Sequence, residues 1–243
     1  MSTVWLLDLD NTLHDALEHV FPRINRAMTA FMARRLELPE EQASALRVHY
    51  WQRYGATMLG VIRHHGVDAH EFLRETHPFP DLDTIVARDH GLRDALRRLP
   101  GRKVVVTNAP AAYARGVLRR LGIAPLLDGL VAVESMRFAG RFHPKPSRPM
   151  LRRIVARLRV SARRCVLVED SAQNLVSARA CGLRTVLVTG IAWRMREVDR
   201  PPQTGPGRRI DLRVHSASHL PRIVHKVRAA CAGAPAVQRS SLE

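Results

Sequence analysis

Cysteine is scarce in this chain of 243 residues. The three present, Cys165, Cys181 and Cys231, have no spacing that suits a zinc site. Cys165 and Cys181 lie in apolar segments and read as small core residues rather than redox groups. No apolar run approaches the ~18 residues that would span a bilayer. The N-terminus enters its first apolar segment with no basic leader or cleavage site, so no export signal is visible. Together these absences predict a cytoplasmic protein with no membrane partner. Aromatic residues make up only 5% of the chain, too few for a base-stacking surface. No internal repeat is present.

Lysine is the other rarity: the chain holds 3 Lys against 36 Arg. The net charge of +17 would ordinarily raise nucleic-acid binding. The arginines are spread along the chain rather than gathered in one block. Electrostatic attraction of anionic substrates is one reading of that pattern; the favoured one is a compositional habit carried on solvated helix faces. A nucleic-acid-binding protein with a vestigial active site is kept as the low-ranked alternative. Hydrophobic content of 46% excludes general disorder, and the length allows one large domain or two smaller ones.

The chain is organised around residues 4–13. Val4-Trp5-Leu6-Leu7 reads as a strand buried on both faces, and it runs into Asp8 and Asp10. Residues i and i+2 of a strand point the same way, so both acids face one place. Two like charges that close repel unless a cation or proton intervenes. Alone, Asp8-Leu9-Asp10-Asn11-Thr12 is equally a polar turn after a strand.

A helical block follows. Ile24, Ala27, Met28, Phe31, Met32 and Leu36 form one apolar stripe. A second helix is predicted from Pro39, placed in its first turn, to Gly55, and a third from about Met58 to Gly66. A capping box at Asp68-x-x-Glu71 opens a fourth. Residues 16–85 are therefore read as an inserted helical cap, and 1–15 with 86–230 as the core, leaving 231–243 as a frayed tail.

Beyond residue 90 strands and helices alternate. A helix at 90–99 precedes a strand at 103–106, a helix over about 111–121 and a weaker strand near 129–133. Ser147 caps a helix carrying Met150, Ile154 and Leu158. A strand at 165–168, a helix over 172–180 and a strand at 185–188 come next. A loop over 189–209, a strand at 210–214 and a helix at 217–230 complete the chain. Alternation of this kind predicts an α/β protein, a Rossmann-like parallel sheet with helices on both faces.

Three of these strands end in polar pairs: Asp8/Asp10, Thr107/Asn108 and Glu169/Asp170. Ligands of open parallel sheets bind at that edge. Four carboxylates in one crevice call for a hard cation, and Mg²⁺ keeps room for waters and a phosphate oxygen. The Thr107 hydroxyl, backbone N–H groups at the start of the next helix and Lys145 would supply donors to a phosphate. A lysine held between Pro144 and Pro146 in so arginine-rich a chain suggests that a compact point charge is needed there.

The four motifs in this order, covering about residues 1–190, resemble the haloacid dehalogenase (HAD) superfamily of phosphohydrolases. The first is Asp8-Leu9-Asp10-Asn11-Thr12, the second Thr107-Asn108, the third Lys145, and the fourth Glu169-Asp170 with Asn174. The resemblance implies that Asp8 is the nucleophile, forming an aspartyl-phosphate, and that Asp10 is the general acid and then the base. It also implies that Mg²⁺ is held by Asp8, the Asp10 backbone carbonyl and Asp170, with Glu169 a ligand or a neighbour of one. Thr107 and Asn108 would bind the transferring phosphoryl group and Lys145 would steady its charge. A second acid at Asp10, absent from dehalogenase members, favours phosphoryl chemistry.

Val20-Phe21-Pro22, Tyr50-Trp51-x-x-Tyr54-Gly55, His64-His65-Gly66-Val67 and Leu167-Val168-Glu169-Asp170-Ser171 are similar to pyrimidine 5′-nucleotidases. Ala109 stands where glycine is usual, and Tyr113 where such proteins often carry histidine. The expected reaction is Mg²⁺-dependent hydrolysis of nucleoside 5′-monophosphates. A sugar-phosphate phosphatase or phosphomutase is the alternative. Within the cap, Tyr54 is a candidate for stacking on a base and His64 or His65 for hydrogen-bonding one.

Overall fold

The computed structural model describes residues 2–191 and 210–231. The expected loop over 189–209 therefore falls largely outside the described residues, as does the expected tail after residue 231. Strand β1 (Val4–Leu7) is wholly buried. It pairs in parallel with β2 (Arg102–Val106) on one side and β6 (Cys165–Glu169) on the other. With β3 (Gly129–Val131), β7 (Arg184–Val188) and β8 (Leu212–Val214), they form one parallel sheet in the order β3-β2-β1-β6-β7-β8. Connections run outward one way from β1 to β3, and the other way from β6 to β8. The order reverses beside β1, which places a crevice at its carboxyl end.

Alternation along β1 splits the core. Trp5 and Leu7 pack with Val105, Val166 and Val168 on one face, under α6 (His90–Arg98), α7 (Ala111–Arg120) and α10 (Leu220–Cys231). Val4 and Leu6 pack with Val104, Val106 and Leu167 on the other, under α8 (Arg148–Leu158) and α9 (Ala172–Ala180). Both faces are covered, which is why the strands are continuously apolar rather than alternating.

Between β1 and β2 lies a helical insertion. It contains α1 (Val20–Leu36), α2 (Glu40–Tyr54), α3 (Thr57–His65), α4 (Ala69–Thr76) and the single turn α5 (Leu82–Ile85). Phe31, Met32, Tyr50, Met58 and Phe72 give it a core of its own. The expected stops are present: Gly55 and Gly66 end α2 and α3 at φ of 78° and 62°, left-handed values that glycine adopts without steric cost. Asp68 accepts the Glu71 N–H at 2.8 Å, and Ser147 that of Met150 at 3.3 Å. Pro39 proves to be the N-cap of α2 rather than a residue of its first turn.

A two-residue hairpin, β4 (Arg137–Phe138) with β5 (Arg141–Phe142), was not expected from the sequence. Its turn places Ala139 and Gly140 at φ of 49° and 74°, the left-handed pair of a tight hairpin. Strands of two residues carry too short a pattern to read by periodicity. The weak strand near 129–133 stops at Val131, and Val133–Met136 forms a 3₁₀ turn.

Candidate active site

Asp8 extends β1 by one step, its N–H donating to the Val168 carbonyl at 3.0 Å. Its carboxylate is thereby fixed at the sheet edge, with a residue exposure of 7%. The chain then turns sharply: Asn11 adopts φ 59°, and its side-chain carbonyl accepts the Ala16 N–H at 3.1 Å. Short polar residues tolerate that conformation because they bond locally. Thr107 is held in the same way at the end of β2, its N–H donating to the Val131 carbonyl at 3.0 Å.

Lys145 arrives from the loop before α8. Its N–H donates to Asn108 Oδ1 at 2.8 Å, and Asn108 Nδ2 donates back to its carbonyl at 3.0 Å. The Asn108 side chain thus ties the third motif to the second. Lys145 is buried, and its ammonium contacts Asp8 Oδ1 and donates to Glu169 Oε2 at 2.8 Å. Glu169 also accepts Asn174 Nδ2 at 3.0 Å and the Ser171 N–H at 3.2 Å.

The electrostatics follow from this crowding. Burial and the adjacent Glu169 push the Asp8 carboxyl well above its usual range, against the pull of Lys145. Burial also opposes charge on Glu169, but Lys145 and the hydrogen bonds around it outweigh that and hold it at about 2. Asp170, desolvated and beside Glu169, is raised to about 8. Burial works against the Lys145 charge too, yet its two carboxylate partners raise it above the ordinary lysine value. Ligand oxygens of Asp8, Glu169 and Asp170 lie within 4.8 Å of one another. Such an all-oxygen set, with two of its acids pushed up by burial and by the neighbouring Glu169, fits a hard cation such as Mg²⁺.

Asp10 sits at the lip and carries a second set of partners. The Tyr113 hydroxyl donates to its Oδ1 at 2.7 Å, and His14 Nε2 lies 2.9 Å from the same oxygen. Burial alone would raise this carboxyl; the His14 and Tyr113 hydrogen bonds more than offset it, and the net shift is downward. His77, from the segment after α4, packs its ring 6.2 Å from that of Tyr113, and burial lowers its imidazole to about 4. Phe79 packs on the same tyrosine at 5.1 Å.

Asp8, Lys145, Glu169 and Asp170 therefore meet at one edge of the sheet. Thr107 and Asn108 stand at the adjoining strand end, and Asp10 at the lip. The cap candidates are arranged differently. Tyr54 OH is 2.6 Å from His64 Nε2, and Tyr50 OH is 2.7 Å from His65 Nε2. Tyr50 also stacks on His64, rings 5.4 Å apart and 11° from parallel. Among the described residues, no hydrogen bond or ring contact joins Tyr54, His64 or His65 to the acids. The link is next door: the turn at Gly55 approaches Pro146, which follows Lys145.

One expected donor is engaged elsewhere. The Ala111 N–H at the start of α7 donates to both carboxylate oxygens of Glu134 at 3.0 Å, so that part of the helix end is capped by protein. Glu134, His14 and His77 were not singled out by sequence. Each acts across a fold contact or a turn that no spacing reveals. In the sequence Tyr113 stands out only as a residue where the similar nucleotidases often carry histidine.

A family model described as haloacid dehalogenase-like hydrolase matches residues 4–182. The chain is 39% identical over 94 residues to a plasmid-encoded phosphoglycolate phosphatase of Cupriavidus necator, spanning 39% of this chain and 38% of that protein. It is 25% identical over 202 residues to a phosphoglycolate phosphatase of Colwellia psychrerythraea, covering 76% and 84%. The match spans well under half the length of two of the curated relatives. Two solved structures share the fold. One is L-2-haloacid dehalogenase from Xanthobacter autotrophicus, 13% identical, with a TM-score of 0.59 over 93% of this chain and 99% of that one. The other is a HAD hydrolase from Bacillus subtilis bound to magnesium, 14% identical, with a TM-score of 0.55 over 91% and 98%. With four motif segments converging on one sheet edge and the family model matching most of its length, the chain belongs to the haloacid dehalogenase-like hydrolases.

Proposed function

We propose that this chain is a Mg²⁺-dependent phosphomonoesterase acting on nucleoside 5′-monophosphates, pyrimidine ones first. The observation that carries the reaction class is the buried Lys145 ammonium between Asp8 and Glu169, with the Asp10 side chain, two residues beyond Asp8, 15% exposed.

An Asp8 oxygen attacks phosphorus while the bond to the leaving alkoxide breaks. Asp10 gives that alkoxide its proton, releasing the alcohol. Asp10 then takes a proton from water, whose oxygen attacks phosphorus and breaks the acyl phosphate, freeing phosphate and restoring Asp8. The net reaction is ester plus water to alcohol plus phosphate. Lys145 holds Asp8 in place and offsets charge on the phosphoryl oxygens, with Thr107 and Asn108 beside them. Asp8, the Asp10 backbone carbonyl and Asp170 would hold Mg²⁺. Both Glu169 oxygens accept protein hydrogen bonds, which suits a residue that fixes Lys145 and Asn174 rather than a direct ligand. Bound Mg²⁺ supplies positive charge against the phosphoryl group.

The substrate reading rests on the aromatic and imidazole groups of Tyr54 and His64, adjoining the turn that approaches Pro146. They offer a stacking face and a polar edge of the kind a base uses. A second reading, a small phosphorylated carboxylate, is favoured by the two relatives named phosphoglycolate phosphatase. The test is phosphate release with Mg²⁺ from UMP, CMP, AMP, phosphoglycolate and glucose 1-phosphate, with L-2-chloropropionate as the dehalogenase control. Turnover of UMP and CMP above the rest is expected. Preference for phosphoglycolate would replace the nucleotide reading, and isomerised sugar without phosphate release would favour a mutase.

A further inference from the structure

Asp10 is gripped by one oxygen only. Tyr113, from α7, and His14, four residues after Asp10, both meet Oδ1, at 2.7 and 2.9 Å. The Tyr113 hydroxyl and His14 Nε2 are themselves 3.3 Å apart, which closes a triangle. The other His14 ring nitrogen, Nδ1, is buried with no hydrogen-bond partner among the described residues. A hydrogen there would be stranded, so the network assigns the hydrogen to Nε2, pointing at Asp10. Tyr113 is buried beneath Phe79 and beside His77, and burial with the Asp10 carboxylate keeps its phenol protonated. Its hydroxyl hydrogen is committed to Asp10 Oδ1. With two donors on Oδ1, Asp10 loses rotation about its carboxyl bond and is left with Oδ2 for other work.

We infer that Tyr113, assisted by His14, is a positioning residue that locks the Asp10 carboxyl through Oδ1 so that Oδ2 faces the leaving oxygen of the substrate. The inference rests on the proposed role of Asp10 as general acid. Its two clamps reach the acid from different elements: Tyr113 stands at the third residue of α7, and His14 follows the left-handed turn at Asn11. The segment containing His77 and Phe79 packs on Tyr113, so the helical insertion also bears on the clamp. A carboxyl free to rotate would present either oxygen, or neither, at the moment the leaving group needs its proton.

Leaving-group dependence reads this directly. Substrates are p-nitrophenyl phosphate, whose phenolate leaves without a proton, and an aliphatic phosphomonoester turned over by the wild-type chain. In Tyr113→Phe, kcat/KM for the aliphatic ester is expected to fall by ~10–100-fold, and that for p-nitrophenyl phosphate by less than about threefold, because only the former draws on general-acid catalysis. In an Asp10→Asn background, Tyr113→Phe is expected to cost nothing further with the aliphatic ester, as for two groups acting as a unit. Equal losses with both esters, or an added loss on top of Asp10→Asn, would overturn the inference and make Tyr113 a packing residue. A melting temperature within a few degrees of wild type for Tyr113→Phe checks the fold. If Asp10→Asn itself fails to discriminate between the two esters, the general-acid reading falls, a result distinct from failure of Tyr113 alone.

Discussion

Lys145 Nζ and Glu169 Oε2 lie 2.8 Å apart, both almost fully buried, and the same ammonium contacts Asp8. One lysine thus balances two carboxylates inside a site that water barely enters. A buried ion cluster of this kind is sensitive to loss of its one cation, because the carboxylates then stay desolvated without a partner.

Lys145→Met is expected to destabilise the protein by about 3–5 kcal/mol, the cost of leaving buried charge unpaired. Urea unfolding of wild type and variant measures it. Lys145→Arg keeps the charge but replaces a point ammonium with a planar fork in a closed space. Its kcat is expected to drop by at least about tenfold, and near wild-type kinetics would remove Lys145 from the catalytic set.

Asp8→Asn is expected to abolish phosphate release and the acid-stable, hydroxylamine-sensitive label left by ³²P-substrate, as for a lost nucleophile. The fold should survive. Asn is nearly isosteric, and it removes one member of a like-charge cluster in which burial already disfavours the Asp8 carboxylate. A melting temperature in chelator at or above wild type is the expected companion result.

Asp8 and Asp170 are both raised in the folded protein, Asp170 to about 8. Between the unfolded carboxyl value and that figure, the folded state binds more protons than the unfolded one. The stability these groups contribute in EDTA is therefore expected to be full at and below about pH 4, the unfolded carboxyl value, and to fall as pH rises toward about 8. Millimolar Mg²⁺ should restore more stability at pH 8 than at pH 5, because at low pH protons compete for the same oxygens. Melting scans at three pH values with and without Mg²⁺ test the slope, and an increase in stability with pH in EDTA would contradict it.

Gly60 leaves no room for a side chain. A Cβ there would fall 2.2 Å from Tyr50 Cγ, where α3 packs against α2. Gly60→Ala is expected to cost about 1–3 kcal/mol through overpacking, despite the better helix propensity of alanine. Because Tyr50 stacks on His64 and bonds His65, displacing it should also disturb the cap pair.

Tyr54→Ala is expected to raise KM for UMP by about tenfold, the scale of one lost base stack, while kcat/KM for p-nitrophenyl phosphate stays within about twofold. Equal effects on both substrates would separate Tyr54 from base recognition.

By itself the sequence determined the longer elements and the family. The run Val4-Trp5-Leu6-Leu7 and its counterparts at 104–106 and 165–168 read as strands because burial on both sheet faces makes them continuously apolar. The glycines at 55 and 66 and the cap at Asp68 marked helix ends through local backbone chemistry, which needs no distant partner. Acids and hydroxyls placed directly after strands were legible for the same reason: strand ends in a parallel sheet share one edge.

Only the tertiary structure decided how those groups are used. Tyr113 on Asp10, Asn108 on the Lys145 backbone and Glu134 on the α7 N-terminus join residues 103, 37 and 23 positions apart. No periodicity encodes such pairs. A hydrogen bond depends on where two elements dock, and docking is settled by packing of the whole core rather than by the residues that meet.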